Sequence, residues 1–466
     1  MKSIYMIGIC GVAMGSLACM LRESGYIVAG SDSNVYPPMS DVLRSAGIHI
    51  DEEYDAEKVN GFDLVIIGNS ISRGNPQAEH VLNENIPYIS LASAMRHFFL
   101  QDREVIAVSG THGKTTTTAL LAHILMTAGL DPGFFVGGVT KNYNSNFRIG
   151  KGRYFVIEGD EYDSAFFEKV PKFMFYKPRH LIITSLEYDH ADIYANLAEI
   201  ELAFRRLVNI IPSHGSIIYS EHYSILKDIV GGAFAKTKSF GTEGQGDFTC
   251  SFREYNADKT NIVLGDTECS MKLFGDFNLA NAAAASSMAL ELGVSIEHIV
   301  QALSTFEGVK RRQELIFSSR DVHVFEDFAH HPTAISAVLE TMRSRYKHSQ
   351  IYAVYEPRSA TSRRNVFQNE LAFAFLNANH VLIKEPFNIK TIPEQERIDI
   401  RFVVNEINKS KMAALFTSAD DIVDSLCSRF SKQETKTNEP AFVVLIMSNG
   451  GFDGIYEKLI ERLSNK

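Results

Sequence analysis

A short segment of the sequence, VIAVSGTHGKTTTTAL at residues 105–120, has the composition of a phosphate-binding loop. An apolar strand precedes the turn GTHGK and a helical segment follows it, which is the context that such a loop requires. The usual pattern has a glycine five residues before the Gly-Lys pair, but position 108 is Val and the upstream glycine is Gly110. Backbone amides and the positive end of a helix hold phosphate oxygens. We therefore predict that Lys114 lies over the transferred phosphate and that the Thr115 hydroxyl binds Mg²⁺.

Two further apolar segments end in groups of polar residues. The polar end of segment 153–163 contains Glu158, Asp160, Glu161 and Asp163. The polar end of segment 180–194 contains Glu187, Asp189, His190 and Asp192. Three strands whose polar ends converge on one phosphate loop favour a two-magnesium site, since Mg²⁺ takes oxygen ligands beside nucleotide phosphates. Glu158 directly follows its apolar run and is the first candidate. A solvated acidic loop and a purely structural histidine are the alternatives.

Residues 1–100 alternate between short apolar strands and helical segments, a pattern that predicts a parallel sheet with helices on its faces. Ligands of such sheets bind at the carboxyl ends of the strands. The residues expected at that edge are Gly8, Gly11, Gly15, Asp32, Asn69 and Ser70. The glycine spacing is not G-x-G-x-x-G, which disfavours a nicotinamide site. Glycines needed only for packing of helix against strand are the alternative interpretation.

The same alternation restarts twice further along the chain, after LQDREVIAVSG and after EGVKRRQELI. We therefore predict an α/β protein of three domains, at residues 1–100, 101–308 and 309–466, each built on a mainly parallel sheet flanked by helices. The first and third are expected to be Rossmann-like and the central one to resemble a P-loop ATPase.

Composition narrows the class of protein. The chain has 466 residues, 45% of them hydrophobic, and a net charge of −10, so no nucleic-acid surface is indicated. Five cysteines without a C-x-x-C pair favour a reducing cytoplasm over a disulfide framework. The apolar N-terminal run, residues 1–21, could pass for a signal peptide, but its glycines predict strand, turn and helix. No uninterrupted apolar stretch is long enough for a membrane span.

Six motifs, in this order along the chain, resemble the Mur ligases, the enzymes that make peptidoglycan precursors: GTHGKTTTT, IEGDEYDSAFF, LEYDHADIY, GDFNLANAAAA, KRRQEL and EDFAHHPTA. Together they span nearly the whole chain. The segments GSDSNVYPPMS, YKPRHLIITSLEYDHADIY, EPRS and MSNGGF are most similar to the branch that joins the tripeptide L-Ala-γ-D-Glu-meso-diaminopimelate to UDP-N-acetylmuramate in peptidoglycan recycling. The branch that adds L-alanine to the same sugar shares THGKTTTT and HHPT and is the alternative.

This resemblance implies a mechanism and a set of site residues. ATP phosphorylates the lactyl carboxylate of the UDP-sugar, and the peptide amine then attacks the acyl phosphate. The implied catalytic residues are Lys114, Glu158 and His190. Mg²⁺ would be held by Thr115, Glu158 and His190. The implied ATP-binding residues are Gly110, Thr111, His112, Gly113, Lys114, Thr115, Thr116, Asn278, Asn281, Arg312 and Asp327. Residues assigned to the UDP-sugar and the peptide are Gly11, Gly15, Asp32, Asn69, Ser70, His331, Arg358 and Asn449.

The resemblance has two departures and two rivals. No lysine lies between Asp189 and Pro212, so the carbamylated lysine of many Mur ligases is not expected, and the family's histidine before Asn278 is Phe277. A folate polyglutamate synthase type of ligase would not normally begin with a separate UDP-binding domain. A non-catalytic regulator that binds a UDP-sugar is disfavoured by the presence of the three catalytic residues. A monomer or weak homodimer without nucleic-acid or membrane partners is expected.

Overall fold

The computed structural model describes residues 2–256, 258–430 and 439–465. Its strands form three large sheets, one after another along the chain, and one small hairpin. The fold class expected from the sequence is confirmed. The exact domain boundaries at residues 100 and 308 stay a prediction, although each large sheet falls within one of the predicted ranges. Within these described ranges, no helix is both long and apolar enough to cross a membrane.

The first sheet is parallel throughout, with the strand order β3-β2-β1-β4-β5. Its strands are β1 Ser3–Ile7, β2 Ile27–Ser31, β3 His49–Asp51, β4 Leu64–Ile67 and β5 Tyr88–Ser90. The helices that accompany them are α1 Val12–Glu23, α2 Met39–Ser45, α3 Pro76–Asn83 and α4 Leu91–Met95, with a 3-10 turn at Ala56–Val59 and a π-turn at Arg96–Leu100. The run that resembles a signal peptide is therefore strand, glycine turn and helix, as expected.

The central sheet has the order β17-β16-β15-β14-β13-β12-β6-β9-β7-β8. Its strands, with the separate hairpin β10–β11, are β6 Glu104–Ser109, β7 Gly133–Thr140, β8 Ser145–Arg148, β9 Tyr154–Gly159, β10 Asp163–Ala165, β11 Glu168–Pro171, β12 His180–Ile183, β13 Ser216–Ser220, β14 Lys236–Gly241, β15 Phe248–Tyr255, β16 Thr260–Leu264 and β17 Thr267–Met271. Seven adjacent strands run parallel to one another, namely β7, β9, β6, β12, β13, β14 and β15. At the two edges of the sheet, β8, β16 and β17 are antiparallel to their neighbours.

Helices cover the central sheet on both faces. They are α5 Lys114–Thr127, α6 Phe173–Tyr176, α7 Leu197–Asn209, α8 Ser224–Val230, α9 Asp276–Glu291 and α10 Ile296–Thr305. Helix α5 is buried along nearly its whole length because it lies on β6, β7 and β9 and because α9, which lies on the same face of the sheet, and α10 pack against it. The alanine run of α9, residues 282–285, is fully buried, and these small side chains allow the two helices to pack closely.

The third sheet has the order β18-β19-β23-β20-β21-β22, with only β18 antiparallel to its neighbour. Its strands are β18 Glu314–Ser318, β19 Val322–Asp327, β20 Gln350–Tyr355, β21 His380–Lys384, β22 Met412–Phe416 and β23 Phe442–Met447. The helices are α11 Pro332–Arg345, α12 Gln368–Ala374, α13 Ile400–Ile407, α14 Ala419–Arg429 and α15 Ile455–Ser464, with 3-10 turns at Asn365–Phe367, Ile389–Thr391, Glu394–Glu396 and Phe452–Gly454.

The middle of the central sheet provides a test of the packing. Phe155 lies in β9 between β6 and β7, and its side chain is fully buried. Phe155→Ala should lower the free energy of unfolding by about 3–5 kcal/mol, because it removes buried apolar surface and leaves a cavity. Phe234→Ala is the matched control, because Phe234 is 85% exposed and its removal should cost no more than about 0.5 kcal/mol. Urea unfolding of both variants measures the difference, and equal midpoints would contradict this account of the core.

Candidate active site

The phosphate loop is fixed in place by the chain segment that follows β12. The backbone N–H of Thr111 donates to the carbonyl of Ser185, and the N–H of His112 donates to the Ser185 hydroxyl. The Thr111 hydroxyl exchanges hydrogen bonds with the backbone of Glu187, at 3.1 and 2.8 Å. At Gly110, with φ +134°, a Cβ would overlap Thr184 and Ser185, so a glycine is required there. The loop is therefore held rigidly against the neighbouring strand.

These contacts decide which backbone amides of the loop remain for a ligand. Thr111 and His112 already donate theirs to Ser185. Helix α5 begins at Lys114 after Gly113, which has φ +81° and no side chain to cap the helix. The first N–H groups of a helix have no partner within it, and the helix dipole adds positive potential. An anion is therefore expected at the first turn of α5, which includes Thr115 and Thr116.

A buried carboxylate joins two of the predicted catalytic side chains. Lys114 Nζ donates to both oxygens of Glu161 at 2.9 Å and to the carbonyl of Gly110 at 2.6 Å. His190 Nε2 lies 2.7 Å from Glu161 Oε1. Burial alone would lower the pKa of Lys114 and of His190, but Glu161 and the neighbouring carboxylates together outweigh it and raise the pKa of both. Both side chains therefore contact one shared carboxylate.

The second predicted metal ligand, Glu158, contacts the first turn of α5. Thr115 Oγ1 donates to Glu158 Oε1 at 3.0 Å, and Glu158 Oε2 accepts from the Gly137 N–H at 2.8 Å. Burial raises the pKa of Glu158, although Lys114 and Arg312 oppose this effect. A cation beside Glu158 would favour its ionised form. The hydroxyl and carboxylate form a pair of oxygen ligands of the kind that Mg²⁺ prefers, so Thr115 and Glu158 fit this ion.

Among the described residues, no hydrogen bond joins Glu158 to His190. The partner of His190 is Glu161, and it would have to give up that contact to bind an ion. Glu161 is the site residue that sequence reasoning missed, because the acidic run after β9 contains several carboxylates without a pattern to separate them. The structure separates them by partner: Asp160 accepts from Lys172 at 2.7 Å, while Glu161 accepts from Lys114.

The two asparagines predicted to bind ATP, Asn278 and Asn281, lie in the first two turns of α9, and both are buried. Asn281 Oδ1 accepts from the Thr117 hydroxyl at 3.0 Å, and its Nδ2 donates to Asn278 Oδ1 at 3.0 Å. A Cβ at Gly113 would overlap Asn281, so this side chain packs directly against the loop. Phe277 is partly buried against the apolar core of the third sheet. The pair is thus adjacent to the phosphate loop but is tied into protein hydrogen bonds.

The part of the chain predicted as the third domain, residues 309–466 and here called the third unit, also contacts the phosphate loop. Arg312 Nη2 donates to Thr115 Oγ1 at 3.3 Å, and the Arg312 guanidinium lies over the ring of Phe328, 4.8 Å from its centroid. Asp327, at the end of β19, accepts from the N–H groups of Gln313 and Ala329 at 2.7 Å. In this arrangement the third unit already contacts the phosphate loop.

The residues predicted to bind the UDP-sugar lie at one edge of the first sheet, where β1, β2 and β4 end. Asp32 accepts from the N–H of Cys10 at 2.9 Å and so shapes the glycine turn. Gly15 packs so closely against Met39 that a side chain would not fit. The remaining three, Gly11, Asn69 and Ser70, are exposed.

The other three residues predicted to bind substrate, of which Arg358 and Asn449 are predicted to contact the peptide, follow β19, β20 and β23. Arg358 lies over the ring of Phe387, 3.8 Å from its centroid, and 3.5 Å from Glu356. Asn449 Oδ1 is buried, and no described group donates to it. His331 caps α11 by accepting from the Thr333 N–H at 3.3 Å. A narrow cleft between the central and third units has in its lining Asp189, His330, His331, Tyr355, Arg364 and Phe367.

Comparisons with protein families, with single relatives and with solved structures agree with this geometry. The family described as "Mur ligase family, catalytic domain" matches residues 3–103, and "Mur ligase middle domain" matches residues 108–289. The UDP-N-acetylmuramate–L-alanyl-γ-D-glutamyl-meso-2,6-diaminoheptandioate ligase of Escherichia coli (strain K12) is 40% identical over 99% of this chain and 98% of its own. The UDP-N-acetylmuramate–L-alanine ligase of Clostridium tetani is 31% identical over 96% of each.

The crystal structure of a murein peptide ligase from Psychrobacter arcticus 273-4 superposes with a TM-score of 0.72, at 35% identity, over 100% of this chain and 99% of that one. Family matches in two consecutive regions, relatives aligned along the full length and a shared structure all agree. The chain belongs to the Mur ligase family.

Proposed function

We propose that this chain is an ATP-dependent, ADP-forming ligase that joins L-Ala-γ-D-Glu-meso-diaminopimelate to UDP-N-acetylmuramate, with Mg²⁺, in the cytoplasm. The observation that carries the chemistry is the convergence of Lys114, Thr115 and Glu158 at one phosphate loop, with Arg312 contacting it from the third unit. The full-length identity of 40% to the E. coli enzyme supports the choice of substrates. The proposed role belongs to peptidoglycan recycling.

The reaction divides into two substitutions. In the first, an oxygen of the lactyl carboxylate attacks the terminal phosphorus of ATP, the bond to the bridging oxygen breaks, and ADP leaves. In the second, the peptide amine attacks the acyl carbon, loses a proton and expels phosphate, which leaves an amide. Phosphorylation is needed because a carboxylate oxygen is a poor leaving group, whereas phosphate is a good one.

Each group of residues has a task in this scheme. The first turn of α5 binds the ATP phosphates, and Lys114 and Arg312 stabilise the negative charge that develops as the terminal phosphate is transferred. Thr115 and Glu158, with His190 as a further candidate, would hold Mg²⁺, which supplies additional neutralisation of phosphate charge. Glu161 is a positioning residue, because it fixes Lys114 and His190 relative to each other.

Asn278 and Asn281 are proposed to contact adenine and Asp327 the ribose. The exposed edge of the first sheet is proposed to bind the UDP-sugar, whose lactyl carboxylate must reach the phosphate loop. Arg358 and Asn449 are proposed to contact the peptide. Arginine suits this task because its guanidinium pairs with carboxylates, of which the tripeptide carries several. The enzyme is proposed to act as a monomer or weak homodimer.

Substrate choice is the first test. With UDP-N-acetylmuramate and ATP, ADP release should be at least about a hundredfold faster with the tripeptide than with L-alanine at equal concentration. A site built to pair with several carboxylates rejects an amine that lacks most of them. Mass spectrometry of the product should show the tripeptide adduct. The second candidate, the L-alanine ligase suggested by the 31% identical relative, is supported instead if free L-alanine is preferred.

Lys114 provides the second test. Lys114→Ala should lower turnover by about 10²- to 10³-fold, because a cation that stabilises the transferring phosphate is lost. UDP-sugar affinity, measured by calorimetry, should change less than twofold, because that ligand is proposed to bind at the first sheet. Lys227→Ala, at an exposed lysine of α8, is the control and should behave as the unmodified chain. A tenfold loss of sugar affinity in the Lys114 variant would contradict this division of tasks.

Glu161 provides the third test. Glu161→Gln keeps the shape of the side chain but leaves the partly buried Lys114 ammonium without its anion and His190 without its carboxylate partner. Turnover should fall at least about tenfold, since Lys114 loses its fixed position, and the melting temperature should fall as well, because an uncompensated buried charge is costly. Glu254→Gln, at an exposed strand residue, is the control. Unchanged kcat and unchanged KM for ATP would show that Glu161 positions neither catalytic side chain.

A further inference from the structure

A second group of potential metal ligands lies beside the phosphate loop, separate from Thr115 and Glu158. One nitrogen each of His112 and His331 and one oxygen of Glu187 lie within 4.8 Å of one another. His112 Nε2 is 3.2 Å from Glu187 Oε2, and His331 Nδ1 is 3.7 Å from the same oxygen. The histidine rings are 5.0 Å apart. Three ligand atoms thus surround one small volume.

The distances suit a small ion with tetrahedral coordination. Zinc binds imidazole nitrogen and carboxylate oxygen at about 2.0–2.2 Å, so neighbouring ligand atoms in a tetrahedral site lie about 3.3 Å apart. The two observed separations, 3.2 and 3.7 Å, bracket this value. A small movement of the His331 ring would therefore complete the geometry. Imidazole nitrogen is a ligand that zinc and other late transition metals favour, whereas Mg²⁺ prefers oxygen ligands. Two imidazoles and one carboxylate therefore suit zinc better than Mg²⁺.

His331 is held only weakly at the nitrogen that faces Glu187. Its side chain is only 6% exposed, and the hydrogen bond that its Nδ1 accepts from the Thr333 N–H is long, at 3.3 Å. The same Nδ1 lies 3.7 Å from Glu187 Oε2. An ion bound at Nδ1 would replace this weak bond with a stronger one, while Nε2, on the other side of the ring, has no partner among the described groups.

Glu187 is already oriented by neighbouring hydroxyl groups, as carboxylate ligands of metals generally are. The Thr333 hydroxyl donates to Oε2 at 2.9 Å, and the Tyr223 hydroxyl donates to Oε1 at 3.3 Å. The carboxylate is therefore fixed in position before any ion arrives.

We propose that His112, Glu187 and His331 bind one zinc ion, or a transition-metal ion of similar preference, with a fourth position open to water or substrate. His112 belongs to the phosphate loop and Glu187 to the segment after β12, whereas His331 precedes α11 in the third unit. The ion therefore links the central and third units next to the ATP site. Because it binds only where the three residues meet, it stabilises the arrangement in which the third unit covers the loop.

The test measures metal binding without turnover, so that its outcome is independent of the proposed reaction. The full-length chain is freed of metal with a chelator and titrated with Zn²⁺ against a chromophoric competitor. One Zn²⁺ per chain should bind, and Co²⁺ in its place should give the intense visible absorption of four-coordinate cobalt. Zn²⁺ should raise the melting temperature of the unmodified chain.

Substitutions assign the ion to this cluster. His112→Gln, Glu187→Gln and His331→Gln should each weaken Zn²⁺ binding at least tenfold and reduce the rise in melting temperature. Glu187→Gln is the most informative variant, because Glu187 caps no helix and its neighbours remain. His298→Gln, at an exposed histidine of α10, and Glu158→Gln should retain the affinity of the unmodified chain. Absence of stoichiometric binding, or affinity lost only in Glu158→Gln, would overturn the proposal.

Discussion

The parallel register of three adjacent strands in the central sheet determines where the chemistry of this molecule is located. Ser109, the last residue of β6, is aligned with Gly159 at the end of β9 and with Ile183 at the end of β12. The chain that leaves each strand therefore enters the same small region. The phosphate loop, the acidic run with Glu161 and the segment with Glu187 and His190 meet there because their strands end at the same level.

The charges gathered in this region constrain one another. Lys114 and His190 share Glu161, while Asp160 is paired with Lys172. The lysine of the phosphate loop thus has an internal anion as its partner. ATP would bring several further negative charges into a desolvated site. The divalent cation proposed beside Glu158 would offset that excess, because the cations of the chain are already partly neutralised.

Much of this arrangement was predictable from the sequence because it depends on regular strand ends. The loop around Lys114 and the carboxylate Glu158 follow apolar strands, and parallel strands place such positions together. The position of Glu161 was not predictable, because the chain turns after Gly159 and only the turn decides which of several acidic side chains faces Lys114. The cluster around Glu187 was equally hidden, since its members come from three separate segments, at residues 112, 187 and 331.

The contacts between the central and third units are of two kinds, polar and apolar. Near the phosphate loop the third unit is held by polar contacts such as two hydrogen bonds of 3.3 Å, from Arg312 to Thr115 and from the Ala191 N–H to the Thr361 hydroxyl. Such bonds exchange with water at little cost. An apolar contact also joins the units at the start of α9, where Phe277 packs against the core of the third sheet. Apolar surface is costly to expose, so this contact holds the two units together more firmly than a single exposed hydrogen bond does.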